Sequence, residues 1–277
     1  MIFKVQKSQQ YINILSYMLL KVNTLVLFRL YFGSFLCYHS KKHRAFCQKA
    51  ERTISNMNLD DFQGYIFDLD GTLIDSSHAW KRVDDIFLSS YGIETPDDYD
   101  KEIAGMGFEL AAQYTINRFS LEKTVNEVMD EWNNIVKDIY ATEVFLFDGV
   151  KEYLRYLKNK GRKLGIATVN NLDLTESVLN NNGVLDLFDN ITTSAEVSRP
   201  KGFPDIYLKS SEKLRISVSK CVVFEDILQG IKGANDGGFK TVAVMCKKEV
   251  HYRDEILSLC DKYISSYSEL LDSLILC

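Results

Sequence analysis

The chain changes rhythm near residue 148, and that change constrains its fold more than any other feature. After Asp148-Gly149, short apolar runs alternate with amphipathic stretches. Runs at 163–168, 191–193, 221–224 and 241–245 read as strands. Stretches at 150–160, 173–182, 204–214 and 227–237 read as helices, with Gly161, Gly183 and the Gly237-Gly238 pair as stop signals. Strands alternating with helices of about 10 to 15 residues predict a parallel sheet covered on both faces.

One strand stands apart from that series. The run Y-I-F-D-L-D at 65–70 closes on Gly71, and the region from 76 to 146 follows with hardly any strand signal. Trp80, Val83, Phe87 and Leu88 recur at helical spacing in 78–91. Pro96 and its neighbouring acids mark a loop, and further helices are expected at 108–119 and 121–140, the latter capped near Ser120 with Lys123 at the third position. The expected fold is therefore α/β: a Rossmann-like core made of 59–75 and 147–277, interrupted by an α-helical cap at 76–146.

Charge divides the chain differently. Residues 1–56 hold nine Lys or Arg and one acid, Glu51, for a net +8, so the rest carries −13 of the total −5. Such an acidic body gives no reason to expect a nucleic-acid partner, and it would need local cations to attract a phosphoester. Lys21 and Arg29 interrupt the apolar stretch at 11–38, which falls short of the roughly 20 apolar residues a spanning helix needs. The folded pattern begins just after Met57, so 1–58 is read as an extension or a mis-assigned start, with a membrane-contacting segment as the alternative. Cys37, His39, His43 and Cys47 are metal-capable types, but their spacing matches no zinc module. The six cysteines form no framework; Cys221 and Cys246 sit in or beside apolar runs, which points to a reducing, cytoplasmic setting. Nothing in the sequence bears on oligomeric state.

In sheets of this kind ligands bind beyond the carboxyl ends of the strands, and the polar residues gather there. Asp68 and Asp70 follow the first strand and Thr168 ends the second. Glu225-Asp226 follow a later one, and Lys201 lies in the loop S-R-P-K-G-F-P-D. Asp68 and Asp70 point the same way along an extended strand. Two carboxylates that close repel unless a proton or a cation intervenes. Asp68 and Asp226, with the main-chain carbonyl of Asp70, form a set of hard oxygens suited to Mg²⁺.

D-L-D-G-T (68–72), Thr168, Lys201 in K-G-F-P-D-I-Y (201–207) and V-F-E-D-x-x-x-G-I-x-x-A (223–234) resemble, in order, the four motifs of the haloacid dehalogenase superfamily. The likeness covers about 60–270. It implies a Mg²⁺-dependent phosphatase acting on a small phosphorylated metabolite. Asp68 would be the nucleophile and Asp70 the acid–base group. Thr168, with Val169 and Asn170 after it, and Lys201 would hold the phosphoryl oxygens. The metal would be held by Asp68, Asp70 and Asp226, with Glu225 either a further ligand or the group that orients Lys201. Asp75 and His78 are read as structural. The helical cap resembles that of the phosphoglycolate phosphatase and β-phosphoglucomutase branch, with Gly105-Met-Gly107 as its substrate-facing loop. The mutases of that branch carry a His twelve residues after the nucleophile, where this chain has Trp80, so hydrolysis is expected over a mutase activity. A non-catalytic phosphometabolite-binding regulator is the remaining alternative.

Overall fold

Six parallel strands form one sheet in the order β3-β2-β1-β4-β5-β6. They are β1 (Gly64–Phe67), β2 (Lys163–Thr168), β3 (Asn190–Thr193), β4 (Cys221–Glu225), β5 (Lys240–Val244) and β6 (Lys262–Ile264). The structure, a computed structural model, describes residues 57–103, 106–244 and 252–275. The Cys37–Cys47 pattern, the extension to residue 56, Gly105 and Cys246 lie outside the described residues. Among the described residues no helix is long and apolar enough to cross a membrane.

The strands are short and buried on both faces, as parallel strands between helical layers must be. Residues of alternating parity on β1 face opposite layers. Tyr65 and Phe67 join Phe224, Tyr153 and Tyr267 on one side, where the Phe67 and Phe224 ring centroids lie 4.7 Å apart. Tyr153 belongs to α5 (Val150–Asn159) and Tyr267 to α10 (Tyr267–Ile275). Ile66 packs on the other side with Ala167, Val223, Ile206 and Tyr207, the last two from α7 (Asp205–Leu214). The remaining core helices are α6 (Leu172–Asn181), α8 (Leu228–Asp236) and α9 (Arg253–Leu259). Sequence pattern located β2, β3, β4 and β5 to within one residue and ran β1 three residues too far, to Asp70. It did not anticipate β6, whose three residues are too short to show alternation, nor α9 and α10 beside it.

Between β1 and α5 the chain forms α1 (Ala79–Ser90), α2 (Tyr99–Ile103), α3 (Phe108–Phe119) and α4 (Val125–Thr142). The apolar faces of α1 and α4 meet, with Phe87 edge-on to Trp132 at 5.7 Å. Ser120 does not cap α4. It adopts a left-handed conformation (φ 51°) and ends α3, as Asn or Gly more often does. The cap of α4 is Thr124, whose Oγ1 accepts from Glu127 N at 3.3 Å while Thr124 N donates to Glu127 Oε2 at 2.8 Å. That reciprocal pair is the Thr-x-x-Glu capping box.

The two linkers joining this helical insert to the sheet run side by side. Asp75 N donates to Phe145 O at 3.0 Å, Phe147 N donates to Leu73 O at 2.9 Å, and Ile74 bridges Leu146. Asn182, at the end of α6, fixes the second linker by accepting from Leu146 N at 3.0 Å and donating to Val144 O at 3.1 Å.

Candidate active site

The sheet order makes β1 the turning point of the topology: the chain leaves it toward β2 and β3, then crosses back to β4 on its other side. A crevice opens beyond the carboxyl ends of the strands at such a point. The register pairs Phe67 with Phe224, and Asp68 N donates to Phe224 O at 3.0 Å, which brings Asp68 level with Glu225. Thr168 ends the neighbouring β2, fully buried.

Four charged side chains are buried together here: Asp68, Lys201, Glu225 and Asp226. Lys201 Nζ donates to Asp68 Oδ1 and lies 2.6 Å from Glu225 Oε1. Tyr207 of α7 donates its hydroxyl proton to the same Glu225 oxygen at 2.7 Å, and Asp226 N donates to Oε2 at 3.1 Å. Thr72 Oγ1 donates to Asp226 Oδ1 at 3.1 Å and lies 3.5 Å from Asp68 Oδ2. One oxygen from each of Asp68, Glu225 and Asp226 falls within 4.8 Å of the others.

Burial raises the Asp68 carboxyl well above the usual carboxylate range, against the pull of Lys201. Burial, helped by the nearby Glu225, pushes Asp226 up to about 7. Burial works against charge on Lys201, but Asp68 and Glu225 outweigh it and hold the ammonium protonated above its ordinary value. Three carboxyl groups facing one ammonium in a dry site ionise together only when a further cation joins them. A divalent cation with a taste for oxygen is the chemical complement of that donor set.

Glycines make this density of charge sterically feasible. Gly71 has φ +81°, and a Cβ there would sit 2.2 Å from Asp226 Oδ2. A Cβ on Gly230 of α8 would meet the Glu225 carboxylate at 2.3 to 2.5 Å. Either side chain would force a carboxylate out of place.

Asp70 stands apart from the cluster. Tyr140 of α4 donates its hydroxyl proton to Oδ1, and Asn170 Nδ2 donates to Oδ2 at 2.6 Å. Asn170 N in turn donates to Thr168 Oγ1 at 3.1 Å. Val169 exposes its side chain, and its carbonyl accepts from Ser194 Oγ at 3.0 Å. Asp75 accepts from Ser77 N at 3.2 Å and from Ser77 Oγ at 2.6 Å in a local turn. His78 precedes α1 and lines a pocket of about 360 Å³ with Asp75, Glu143 and Phe145 beside the paired linkers. Trp80 is 47% exposed and edge-on to Phe108, 5.8 Å away.

Three contributors to this site escaped the sequence reading: Thr72, Tyr140 and Tyr207. Thr72 and Tyr207 lie inside the quoted motif segments, so a signal existed for them. Tyr140 meets Asp70 from 70 positions away and gives none.

A family model described as haloacid dehalogenase-like hydrolase matches residues 65–244. Hexitol phosphatase B of Escherichia coli is 27% identical over 211 residues, covering 74% of this chain and 92% of that protein. Validoxylamine A 7'-phosphate phosphatase of Streptomyces hygroscopicus subsp. limoneus is 30% identical over 183 residues, covering 65% and 84%. A solved structure of a putative β-phosphoglucomutase from Thermotoga maritima superposes with TM-score 0.69 at 22% identity, covering 76% of this chain and 98% of the other. At that identity the structural likeness speaks for the fold alone.

Proposed function

The chain belongs to the haloacid dehalogenase-like hydrolase family and is an enzyme of its phosphatase kind, and on that premise we propose that it hydrolyses a phosphorylated sugar or similar phosphomonoester with Mg²⁺, through a phosphorylated Asp68. The observation that carries this reading is the buried Asp68–Lys201–Glu225–Asp226 cluster at the turning point of the sheet. Relatives named for hexitol and for validoxylamine A 7'-phosphate support the substrate class.

In the first step an Asp68 oxygen bonds to phosphorus as the bond from phosphorus to the leaving oxygen breaks. Asp70 gives its proton to that oxygen. In the second step water attacks the same phosphorus and the Asp68 bond breaks. Asp70 takes the water proton, so the net change is ester plus water to alcohol plus phosphate. Lys201 and the Thr168 hydroxyl, with the backbone around Val169 and Asn170, hold the phosphoryl oxygens and offset their growing charge. Asp68, Asp226 and the carbonyl of Asp70 would hold the metal, which would offset charge on the carboxylates and the phosphoryl group. Both Glu225 oxygens are engaged by Lys201, Tyr207 and backbone, so Glu225 orients Lys201.

The helical insert serves as a cap that excludes water and selects the substrate. Trp80 has no ionisable proton with which to link cap closure to proton transfer, which favours hydrolysis over a mutase activity. The test is release of phosphate from p-nitrophenyl phosphate and from a panel of sugar phosphates. Wild type should turn over with Mg²⁺ and fall silent with EDTA, and Asp68→Asn should lose at least about a thousandfold. Substantial turnover in Asp68→Asn would sink the covalent route.

A further inference from the structure

Asp70 has to give up and regain a proton at a fixed place, yet it lies outside the ion cluster that fixes Asp68. Its carboxylate makes two hydrogen bonds among the described residues, one from the core and one from the insert. Asn170 Nδ2 reaches Oδ2 from the core at 2.6 Å, and the Tyr140 hydroxyl reaches Oδ1 from the insert. Tyr140 lies in the last turn of α4 and is only 2% exposed. Its hydroxyl also interacts with Ser76, at the point where the chain enters the insert. Four and six residues further on, Asn182 holds Val144 O and Leu146 N to the core. The helix that carries Tyr140 is thus anchored next to the contact it makes.

We propose that Tyr140 is a positioning residue for Asp70, setting the acid–base carboxyl for proton transfer when the insert is seated on the core. The proposal rests on the phosphatase reading above and adds a residue to it. A carboxylate oxygen has two lone pairs. With one occupied by Tyr140 or Asn170, the other stays free for the travelling proton while the rotamer is held. The same hydrogen bond links the insert to the reacting group. An insert lifted from the core would take the tyrosine with it and leave Asp70 held from one side.

The test compares two esters whose leaving groups differ in their need for a proton. p-Nitrophenolate departs as a stable anion, whereas phenolate is far more basic and depends on general acid catalysis. The parameter to read is kcat/KM, which covers steps through release of the leaving group. Tyr140→Phe in the full chain with Mg²⁺ should lower kcat/KM for phenyl phosphate about 10- to 100-fold, and for p-nitrophenyl phosphate less than about threefold. In an Asp70→Ala background the same change should have no further effect on either ester. Tyr140→Met, which keeps bulk without a hydroxyl, should reproduce the selectivity and guards against a packing artefact in the first variant. An equal loss on both esters, or no loss, overturns the positioning role and leaves the phosphatase reading standing. Wild type inert toward both esters overturns that reading and the inference with it.

Discussion

The sheet's carboxyl edge and the helical insert treat buried charge in opposite ways. At the edge, Lys201 meets Asp68 and Glu225, Tyr207 meets Glu225, and Thr72 meets Asp226. In the insert, Asp84 is buried on α1 with no hydrogen bond or ion pair among the described residues, and Trp132 Nε1 is buried without a partner. The edge is built for fixed electrostatics, where a misplaced charge is costly. The insert is built for shape, around Phe87, Phe108 and Trp132.

The comparison breaks first at Lys201. Replacing it with Met strands Asp68 and Glu225 without their cation, a loss of about 3–5 kcal/mol where one member of a buried pair is removed. Thermal unfolding with Mg²⁺ withheld should show a drop in Tm of roughly 10 °C or more. A drop of a degree or two would mean that the edge is not electrostatically fixed.

A smaller effect is expected at Gly230. An alanine there places Cβ 2.3 Å from the Glu225 carboxyl, and overpacking of that kind costs about 1–3 kcal/mol. Phosphatase activity should fall more than stability does if, as proposed, Glu225 orients Lys201. Assay and melting curve of one Gly230→Ala preparation decide the point; equal retention of both would free Glu225 of that task.

The smallest effect, of opposite sign, belongs to the insert. Burial, then the charges of Asp100 and Asp85, push Asp84 up to about 7 against the pull of Lys81. An acid whose pKa rises on folding holds its proton more tightly when folded. Stability therefore falls as pH climbs from the unfolded value of about 4 toward 7, and stays reduced above it. Asp84→Asn should raise stability by on the order of 1–2 kcal/mol at pH 8, a few degrees in Tm, and change little near pH 4. A variant less stable than wild type at pH 8 would show that the charged form makes a contact worth keeping.

Legibility followed distance along the chain. Strands of four or more residues showed in the apolar pattern, and the four-motif resemblance pointed to Asp68, Lys201 and Asp226, which the fold brings into one cluster. The helix-end error at Ser120 has a local cause, since serine can close a helix as well as open one. The Thr124-x-x-Glu127 signature was present and would have corrected it. Tyr140 had no local signature at all. A tyrosine on a helix reads as core, and only the fold shows that its hydroxyl ends on Asp70. The density of the ion cluster was equally hidden, because it depends on the missing side chains of Gly71 and Gly230.

The paired linkers at Leu73–Asp75 and Phe145–Phe147 bear on how the chain assembles. Gly64 of β1 pairs with Lys163 of β2, so the central sheet contact must close a loop of roughly a hundred residues. Because the insert's two ends meet in a short ladder, a folded insert already holds those strands near each other. The span left to order by diffusion then shrinks to little more than the neck and α5. Each doubling of an open loop costs only about 0.6 kcal/mol, so the gain in equilibrium stability is small. The gain in speed is larger, because long-range contacts are what slow the folding of parallel sheets. An α/β core interrupted this way has in its interruption a template for its own central pairing.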